Sequence, residues 1–101
     1  MTKAEAAWMG FVASLGCVVC RRAGTSPNGC ELHHVAEGSG KRSNFAVAPL
    51  CPEHHRGASG FHGQGSRAFC SAYRLPGETE YGLLVWAAED AARALLAKGA
   101  L

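Results

Sequence analysis

The sequence predicts a small α+β fold in which two short strands lie between helical ends and a zinc ion stabilises the core. Two ligand pairs favour the metal, because CVVC at 17–20 and CPEH at 51–54 each place two donors two residues apart. The strands are predicted by a turn signal, after which the chain returns near 30–36, and by a short apolar run at 45–50. All five histidines lie within one third of the chain, at 33, 34, 54, 55 and 62.

The length of the chain predicts one domain that spans residues 1–101. A chain of 101 residues is at the small end of what buries its own core, and its 13 glycines raise the entropic cost of ordering it. A structural metal ion is a natural means of stabilising such a fold. We expect the core at about residues 17–65 and a C-terminal helical extension at about 66–101.

The first half of the chain predicts a helix followed by a hairpin. A helix is expected over 2–15, with Thr2 as its cap and Gly16 at its end. Pro-Asn-Gly at 27–29 marks a reversal, so the chain returns as a strand near 30–36. A loop over 37–44 leads to the second strand at 45–50, with Pro49 at its end or on an edge.

The second half predicts helices. Pro52 suits the first turn of a short helix after Cys51, which the glycines at 57 and 60 must limit. A second short helix is expected over 66–74, capped by Ser66. The last helix is expected over about 78–98, with an apolar side that comprises Leu83, Leu84, Trp86, Ala87, Leu95 and Leu96.

The N-terminal segment indicates neither secretion nor membrane insertion. It carries Glu5 and is amphipathic, so no signal peptide is expected. We also expect no apolar run of membrane-spanning length and no membrane partner. Five cysteines without a secretory signal favour thiolate ligation in a reducing cytosol over disulfides, which predicts a cytoplasmic protein.

The two ligand pairs predict a structural zinc site made of Cys17, Cys20, Cys51 and His54. A CxxC pair alone would fit a redox motif or two buried thiols equally well, and the second pair favours zinc. Cys30 could replace His54 as the fourth ligand or be a buried thiol. Cys70, between Phe69 and Tyr73, is expected in the core.

The remaining histidines predict a second site with a division of labour. His33 and His34 are adjacent on a strand, so their side chains point to opposite faces and one ion cannot easily bind both. His33, His55 and His62 with water would hold a catalytic divalent ion, which leaves His34 as general base. The alternative is that His34 and His62 are ordinary surface residues.

The charge distribution favours an anionic partner. Between Arg21 and Arg74 the chain has seven lysines and arginines against three glutamates, although its net charge is only +2. Such an excess suits a nucleic-acid backbone. No recognition helix is evident, so little sequence preference is expected. The candidate phosphate-binding residues are Arg21, Arg22, Lys41, Arg42, Arg56 and Arg67.

The combined pattern resembles an HNH endonuclease of the ββα-metal (His-Me finger) class. It is most similar to the phage Ref-like, RecA-dependent nuclease family, over nearly residues 11–85. The motifs that carry the resemblance are Cys17-Val-Val-Cys20-Arg-Arg, Cys30-Glu-Leu-His-His34, Ser43-Asn44, Pro49-Leu-Cys-Pro-Glu-His-His55, Gly60-Phe-His-Gly63 and Arg67-Ala-Phe69.

The resemblance implies a metal-dependent DNA endonuclease that hydrolyses phosphodiester bonds in recombination or DNA processing. It implies that His34 activates water, that Asn44 helps to orient the base or its loop, and that His33, His55 and His62 bind Mg²⁺ or another divalent ion. The spacing from His55 to His62 is longer than in colicin-type enzymes. Implied partners are DNA and a recombinase filament, in a bacterial host cell if the gene is phage-encoded; the oligomeric state stays open.

Two other functions fit parts of the sequence. A zinc-stabilised nucleic-acid-binding module without catalysis explains the cysteines and the basic residues but not the four remaining histidines. A CxxC redox protein would have a reactive thiol pair, but the alternation of strands and helices that usually surrounds such a pair is lacking.

Overall fold

The computed structural model describes residues 1–25, 29–36 and 42–101. In chain order its elements are α1 (Lys3–Ser14), α2 (Val18–Ala23), β1 (Glu31–His34), β2 (Val47–Leu50), α3 (Pro52–Arg56), α4 (Phe61–Gln64), α5 (Ser66–Ala72), a 3₁₀ helix (Pro76–Glu78) and α6 (Tyr81–Ala97). This is a small α+β arrangement, as the sequence predicts. Most of the expected Pro-Asn-Gly reversal and most of the 37–44 loop, Lys41 included, lie outside the described residues.

Helix α1 begins with a capping box. The Oγ1 of Thr2 accepts from the backbone N–H of Glu5 at 3.1 Å, and the backbone N–H of Thr2 donates to Oε1 of Glu5 at 2.8 Å. These bonds satisfy two of the donors that a helix N-terminus otherwise leaves unpaired. The helix ends at Ser14 with Leu15 as its C-cap, and Gly16 has a φ of 86°, which favours glycine. The predicted helix is therefore confirmed to within one residue at each end.

Strands β1 and β2 form an antiparallel two-stranded sheet. The register pairs Leu32 with Pro49, His33 with Ala48 and His34 with Val47. Every residue of β2 is buried. Pro49 lies inside the strand rather than at its end. Among the described residues both strands are edge strands, so the second expected position of Pro49 is confirmed.

The segment after the sheet is compact because of its glycines. Helix α3 starts at Pro52 and stops at Gly57, as expected. Helix α4, which carries His62, was not predicted, because the glycines around it weaken any helical pattern. A Cβ at Gly60 would collide with the backbone carbonyl of Glu53, and one at Gly63 with that of Gly57. Only glycine therefore permits the tight return that brings α4 against α3.

The C-terminal helices differ slightly from the prediction. Gly65 caps α5, so Ser66 is its first residue and not its cap. The last helix starts later than expected, because the 3₁₀ turn precedes it and Glu80 occupies its N-cap position. Leu83 and Ala87 are buried as predicted, whereas Leu96 is 59% exposed.

Helix α6 packs against β2 and α2 and closes the core. Phe69, Leu50 and Leu83 are among the fully buried side chains. A partly buried ion pair joins α2 to α6, since Nη1 of Arg22 lies 2.8 Å from Oδ2 of Asp90. Removing Arg22 would leave buried Asp90 with only the longer contacts to Arg21, at 3.9 Å, and Arg93, at 3.7 Å.

The segment Lys3–Ala23 is long and apolar enough to cross a membrane, by length and composition only. The expectation that no run approaches this length was therefore too strong. The segment consists of two helices with a break at Gly16, and one third of its most apolar window is buried inside the protein. A core helix passes the same test, so the observation is weak evidence for a membrane span.

Candidate metal centres

Four soft donors meet at the junction of α2 and α3. Cys17, Cys20, Cys51 and His54, here called the cysteine cluster, each offer one ligand atom. Nδ1 of His54 lies 3.5, 3.5 and 3.2 Å from the three sulfur atoms in that order. The Sγ atoms of Cys20 and Cys51 are 3.8 Å apart.

The two halves of the cysteine cluster have the same local structure. Cys17 is the N-cap of α2, and its Sγ accepts from the backbone N–H of Cys20 at 3.5 Å. Cys51 is the N-cap of α3, and its Sγ accepts from the N–H of His54 at 3.4 Å. Each ligand pair thus sits on a first helical turn, where free N–H groups stabilise a thiolate.

The cysteine cluster fits a tetrahedral metal ion. With Zn–S of about 2.3 Å and Zn–N of about 2.0 Å, a zinc tetrahedron has S···S edges of about 3.8 Å and S···N edges of about 3.5 Å. The distances above lie within about 0.3 Å of these edges. Burial raises the pKa of Cys17 to about 12, so a bound cation is needed to hold its thiolate at neutral pH. The four residues could therefore bind a metal such as zinc.

The other two cysteines lie outside this group. Cys30 is half-buried. Burial is the largest of the effects that raise the pKa of its thiol. The group that the structure brings together contains His54 and not Cys30. Cys70 is 1% exposed within the core, as predicted.

A second cluster contains His33, His55 and His62, here called the histidine cluster. One ring nitrogen from each lies within 4.8 Å of the others. Nδ1 of His33 is 3.4 Å from Nε2 of His55, close to the separation of about 3.3 Å for two imidazoles on one tetrahedral ion. His33 and His55 are buried, whereas His62 is exposed.

Two glutamates hold the outer nitrogens of the buried histidines. Nε2 of His33 donates to Oε2 of Glu80, and Nδ1 of His55 donates to Oε1 of Glu31, both at 2.6 Å. A carboxylate only accepts, so each contact leaves the lone pair on the nitrogen that faces the other histidine. Metal-binding histidines in proteins are supported in this way.

The pKa values of His33 and His62 agree with neutral imidazoles. Burial first, and then the charges of His55 and His62, lower the pKa of His33 to about 4. Desolvation also lowers the pKa of His62. The hydrogen bond from His55 lowers the pKa of Glu31, which keeps it a carboxylate. Neutral His33 and His62 are the forms that can bind a metal at pH 7.

Sequence reasoning did not find these two carboxylates. Glu31 was counted only as a charge, although its place in the motif beside the strand histidines was a usable signal. Glu80 lies 47 residues after His33, and no local pattern connects the two. Only the packing of α6 brings Glu80 to the site.

His34 makes a separate contact. Its Nε2 lies 3.0 Å from Oδ1 of Asn44, which pairs the two residues that the resemblance connects. Nδ2 of Asn44 in turn donates to Oε2 of Glu5 on α1 at 2.9 Å. Glu5 is a third carboxylate that the sequence did not indicate, since it lies 39 residues from Asn44.

The histidine cluster and His34 line one cavity of about 520 Å³. Its walls include His34, the three members of the histidine cluster, Arg42, Arg56, Phe61 and Glu80. The cavity thus combines candidate ligands, a candidate base and two cationic side chains.

The predicted phosphate-binding residues do not all lie at this cavity. Arg42 and Arg56 line it. Arg21 and Arg22 line another cavity with Asp90, and Arg22 is engaged by Asp90, Glu89 and the carbonyls of Val18 and Trp86. Arg67 is exposed on α5, and Lys41 lies outside the described residues.

Comparison with known proteins gives a family. The model of a family described as recombination enhancement, RecA-dependent nuclease matches residues 1–92. No curated protein and no solved structure matches the chain. The family description implies a nuclease of recombination, and hence DNA and RecA-related partners. Because the match covers nearly the whole sequence, the chain belongs to the recombination enhancement, RecA-dependent nuclease family.

Proposed function

We propose that this protein is an HNH-type, metal-dependent DNA endonuclease that hydrolyses phosphodiester bonds. In this proposal β1, β2 and α3 form the ββα-metal core, within about residues 17–65 of a single domain, and residues 66–101 are its helical extension. The observation that carries it is one cavity that combines the histidine cluster, His34 and two arginines.

His34 is the general base in this mechanism. Its Nε2–H donates to Asn44, which leaves the lone pair of Nδ1 to take a proton from the attacking water. Positioned general bases typically contribute about 10²–10⁴-fold to a rate. The alternative, that His34 is an ordinary surface residue, does not account for its bond to Asn44 beside the histidine cluster.

His33, His55 and His62 hold the catalytic ion. When bound, the ion would supply positive charge that stabilises the charge developing on the scissile phosphate. Imidazole suits Zn²⁺, Fe²⁺ or Ni²⁺, whereas Mg²⁺ prefers oxygen ligands. The donor set therefore favours a transition-metal ion over the Mg²⁺ that the resemblance implies first, with zinc in the cysteine cluster as a separate, structural ion.

Arg42 and Arg56 contact the phosphate backbone of the substrate. The guanidinium of Arg56 can do so on its exposed side, because its bond to Glu31, at 3.1 Å, is made through Nε. Such contacts carry no sequence information, so little sequence preference is expected. A RecA filament on DNA, in the cytoplasm of a bacterial host cell, would supply the substrate.

A plasmid cleavage assay tests the proposal. Supercoiled DNA, with and without a RecA filament, would be incubated with the protein and Zn²⁺, Ni²⁺, Mn²⁺ or Mg²⁺, or with EDTA. Cutting is expected only with a divalent ion. His34→Ala should lower the rate by about 10²-fold or more, because the water loses its base.

The same preparations provide the control. His34→Ala should keep the zinc content and the melting temperature of the wild-type protein, since His34 belongs to neither cluster. Cutting by His34→Ala at the wild-type rate would overturn the general-base assignment. DNA binding without cutting by the wild-type protein under every condition would favour the non-catalytic binding module.

A further inference from the structure

A chain of hydrogen bonds runs from the N-terminal helix to His34. The Oε2 atom of Glu5 accepts from Nδ2 of Asn44 at 2.9 Å, and Oδ1 of Asn44 lies 3.0 Å from Nε2 of His34. The residues come from α1, from the loop before β2 and from β1. Neither the resemblance nor the mechanism above gives Glu5 a role.

The direction of this chain follows from the chemistry of its first member. A carboxylate has acceptors only, so Glu5 must face the NH₂ end of the Asn44 amide. The amide then presents its oxygen to His34, and that oxygen can only accept. His34 must therefore carry its proton on Nε2, which leaves the lone pair on Nδ1.

We propose that Glu5 is a positioning residue that fixes the orientation of the Asn44 amide and thereby keeps Nδ1 of His34 unprotonated as the proton acceptor. The inference rests on the proposed function, because it assigns a role to the supports of that base. If Asn44 were reversed, its NH₂ would face Nε2 and the proton would move to Nδ1. That tautomer cannot take a proton from water at Nδ1.

The first turn of α1 holds Glu5 in place for this role. Its other oxygen, Oε1, accepts from the backbone N–H of Thr2 at 2.8 Å, and its own N–H donates to Oγ1 of Thr2. The bonds to Thr2 and Asn44 also lower the pKa of Glu5, so it remains a carboxylate at neutral pH. Both carboxylate oxygens are thus engaged, one by the helix cap and one by Asn44.

The test exchanges the carboxylate of Glu5 and the amide of Asn44 between the two positions. Glu5→Gln offers a donor as well as an acceptor and no longer fixes the amide, while Asn44→Asp places two carboxylates face to face. Each single variant should lower kcat by about 10- to 100-fold with KM little changed. In the double variant the new amide at position 5 donates to the new carboxylate at position 44, which still accepts from His34. Most of the lost kcat should therefore be recovered.

A spectroscopic measurement reports the tautomer without reference to activity. In ¹⁵N-labelled, zinc-loaded protein, the ring-nitrogen shifts of His34 should show Nε2–H in the wild type and in the double variant. Glu5→Gln should show a mixture of tautomers. A purely structural role of Glu5 would not move these shifts.

Thr2→Ala is the matched control, because it removes the hydroxyl of the cap but keeps the Glu5 carboxylate and the backbone N–H of residue 2 that binds its Oε1. It should lower the melting temperature by about 5 °C and leave kcat within about twofold of wild type. If Thr2→Ala lowered kcat as much as Glu5→Gln, Glu5 would act only through the helix, and the inference would be wrong.

The remaining outcomes separate this inference from the proposed function. If the wild type cuts DNA, depends on His34, and Glu5→Gln retains full kcat and the Nε2–H tautomer, then the inference fails while the function stands. If the wild type does not cut under any condition, the proposed function fails. The ring-nitrogen shifts then still show whether Glu5 fixes the tautomer.

Discussion

The cysteine cluster and the histidine cluster share one short helix but are built differently. His54 and His55 are adjacent on α3, and consecutive helical residues point about 100° apart, so one side chain joins each cluster. The cysteine cluster has four donors at the edge distances of a closed tetrahedron. The histidine cluster has three donors and opens on a cavity. Closed sites are typical of structural metals and open ones of catalytic metals.

The two clusters also differ in what supports them. Backbone N–H groups of the same helical turn hold the sulfur atoms of Cys17 and Cys51. The imidazoles instead depend on carboxylates elsewhere in the fold, one of them Glu80 at the start of α6. The hydrogen bonds that support the cysteine cluster are therefore local, whereas those that support the histidine cluster depend on tertiary packing.

The largest effect is expected from removing one ligand of the cysteine cluster. Cys20→Ser should abolish cooperative thermal unfolding and release the metal, because binding of a structural zinc ion, worth about 10–16 kcal/mol, exceeds the net stability of a small domain. Circular dichroism melts combined with metal analysis would measure it. A strong chelator should reproduce the effect in the wild type.

Cys30→Ser serves as the control for that substitution. Cys30 lies outside the cluster, although the charges of Cys51 and Cys20 act on its thiol, so the same change should move the melting temperature by less than about 4 °C. A Cys20→Ser protein that melts like Cys30→Ser would show that the cysteine cluster does not stabilise the fold. The distinction between a structural cysteine cluster and a catalytic histidine cluster would then be wrong.

Removing one ligand of the histidine cluster should affect activity rather than folding. His62 is exposed, so His62→Ala should leave the melting temperature within about 4 °C of wild type. The protein should keep one bound zinc, lose the second ion and cut DNA more than about 100-fold more slowly. Full retention of the second ion would remove His62 from the ligand set.

The smallest effect is expected from weakening the hydrogen bond between Glu80 and His33, which supports that cluster. Glu80→Gln weakens the acceptor for Nε2 of His33, which should lower affinity for the second metal by about 10- to 100-fold without removing it. Isothermal titration would measure this affinity. Glu78→Gln, two residues earlier on the exposed 3₁₀ turn, is the matched control and should bind like wild type.

The sequence predicted most of the elements and the residues that meet in each cluster. Short-range rules sufficed for α1, for the two ligand pairs and for the strands, since caps, ligand spacing, turn signals and apolar runs are local. The same rules missed α4, whose conformation depends on close backbone contacts at Gly60 and Gly63. They also missed Glu5 and Glu80, since long-range pairing leaves no mark on a local pattern.

Arg22 illustrates the same limit. The sequence presents it as one of two exposed cations beside a metal ligand, suited to phosphate. In the fold its guanidinium pairs with Asp90, stacks 4.8 Å from the ring centre of Trp86 and joins α2 to α6. A charge in a sequence carries no information about whether solvent or a buried partner will meet it.

The position of Glu80 has a consequence for the portability of this domain. The ligands and the candidate base lie before residue 65, which invites treating residues 17–65 as a cassette that could be grafted onto another DNA-binding protein. Helix α6 carries the Asp90 that holds α2, and the carboxylate that holds His33 lies at its N-cap. An excised cassette would leave buried His33 without its acceptor, so the transferable unit extends at least through α6.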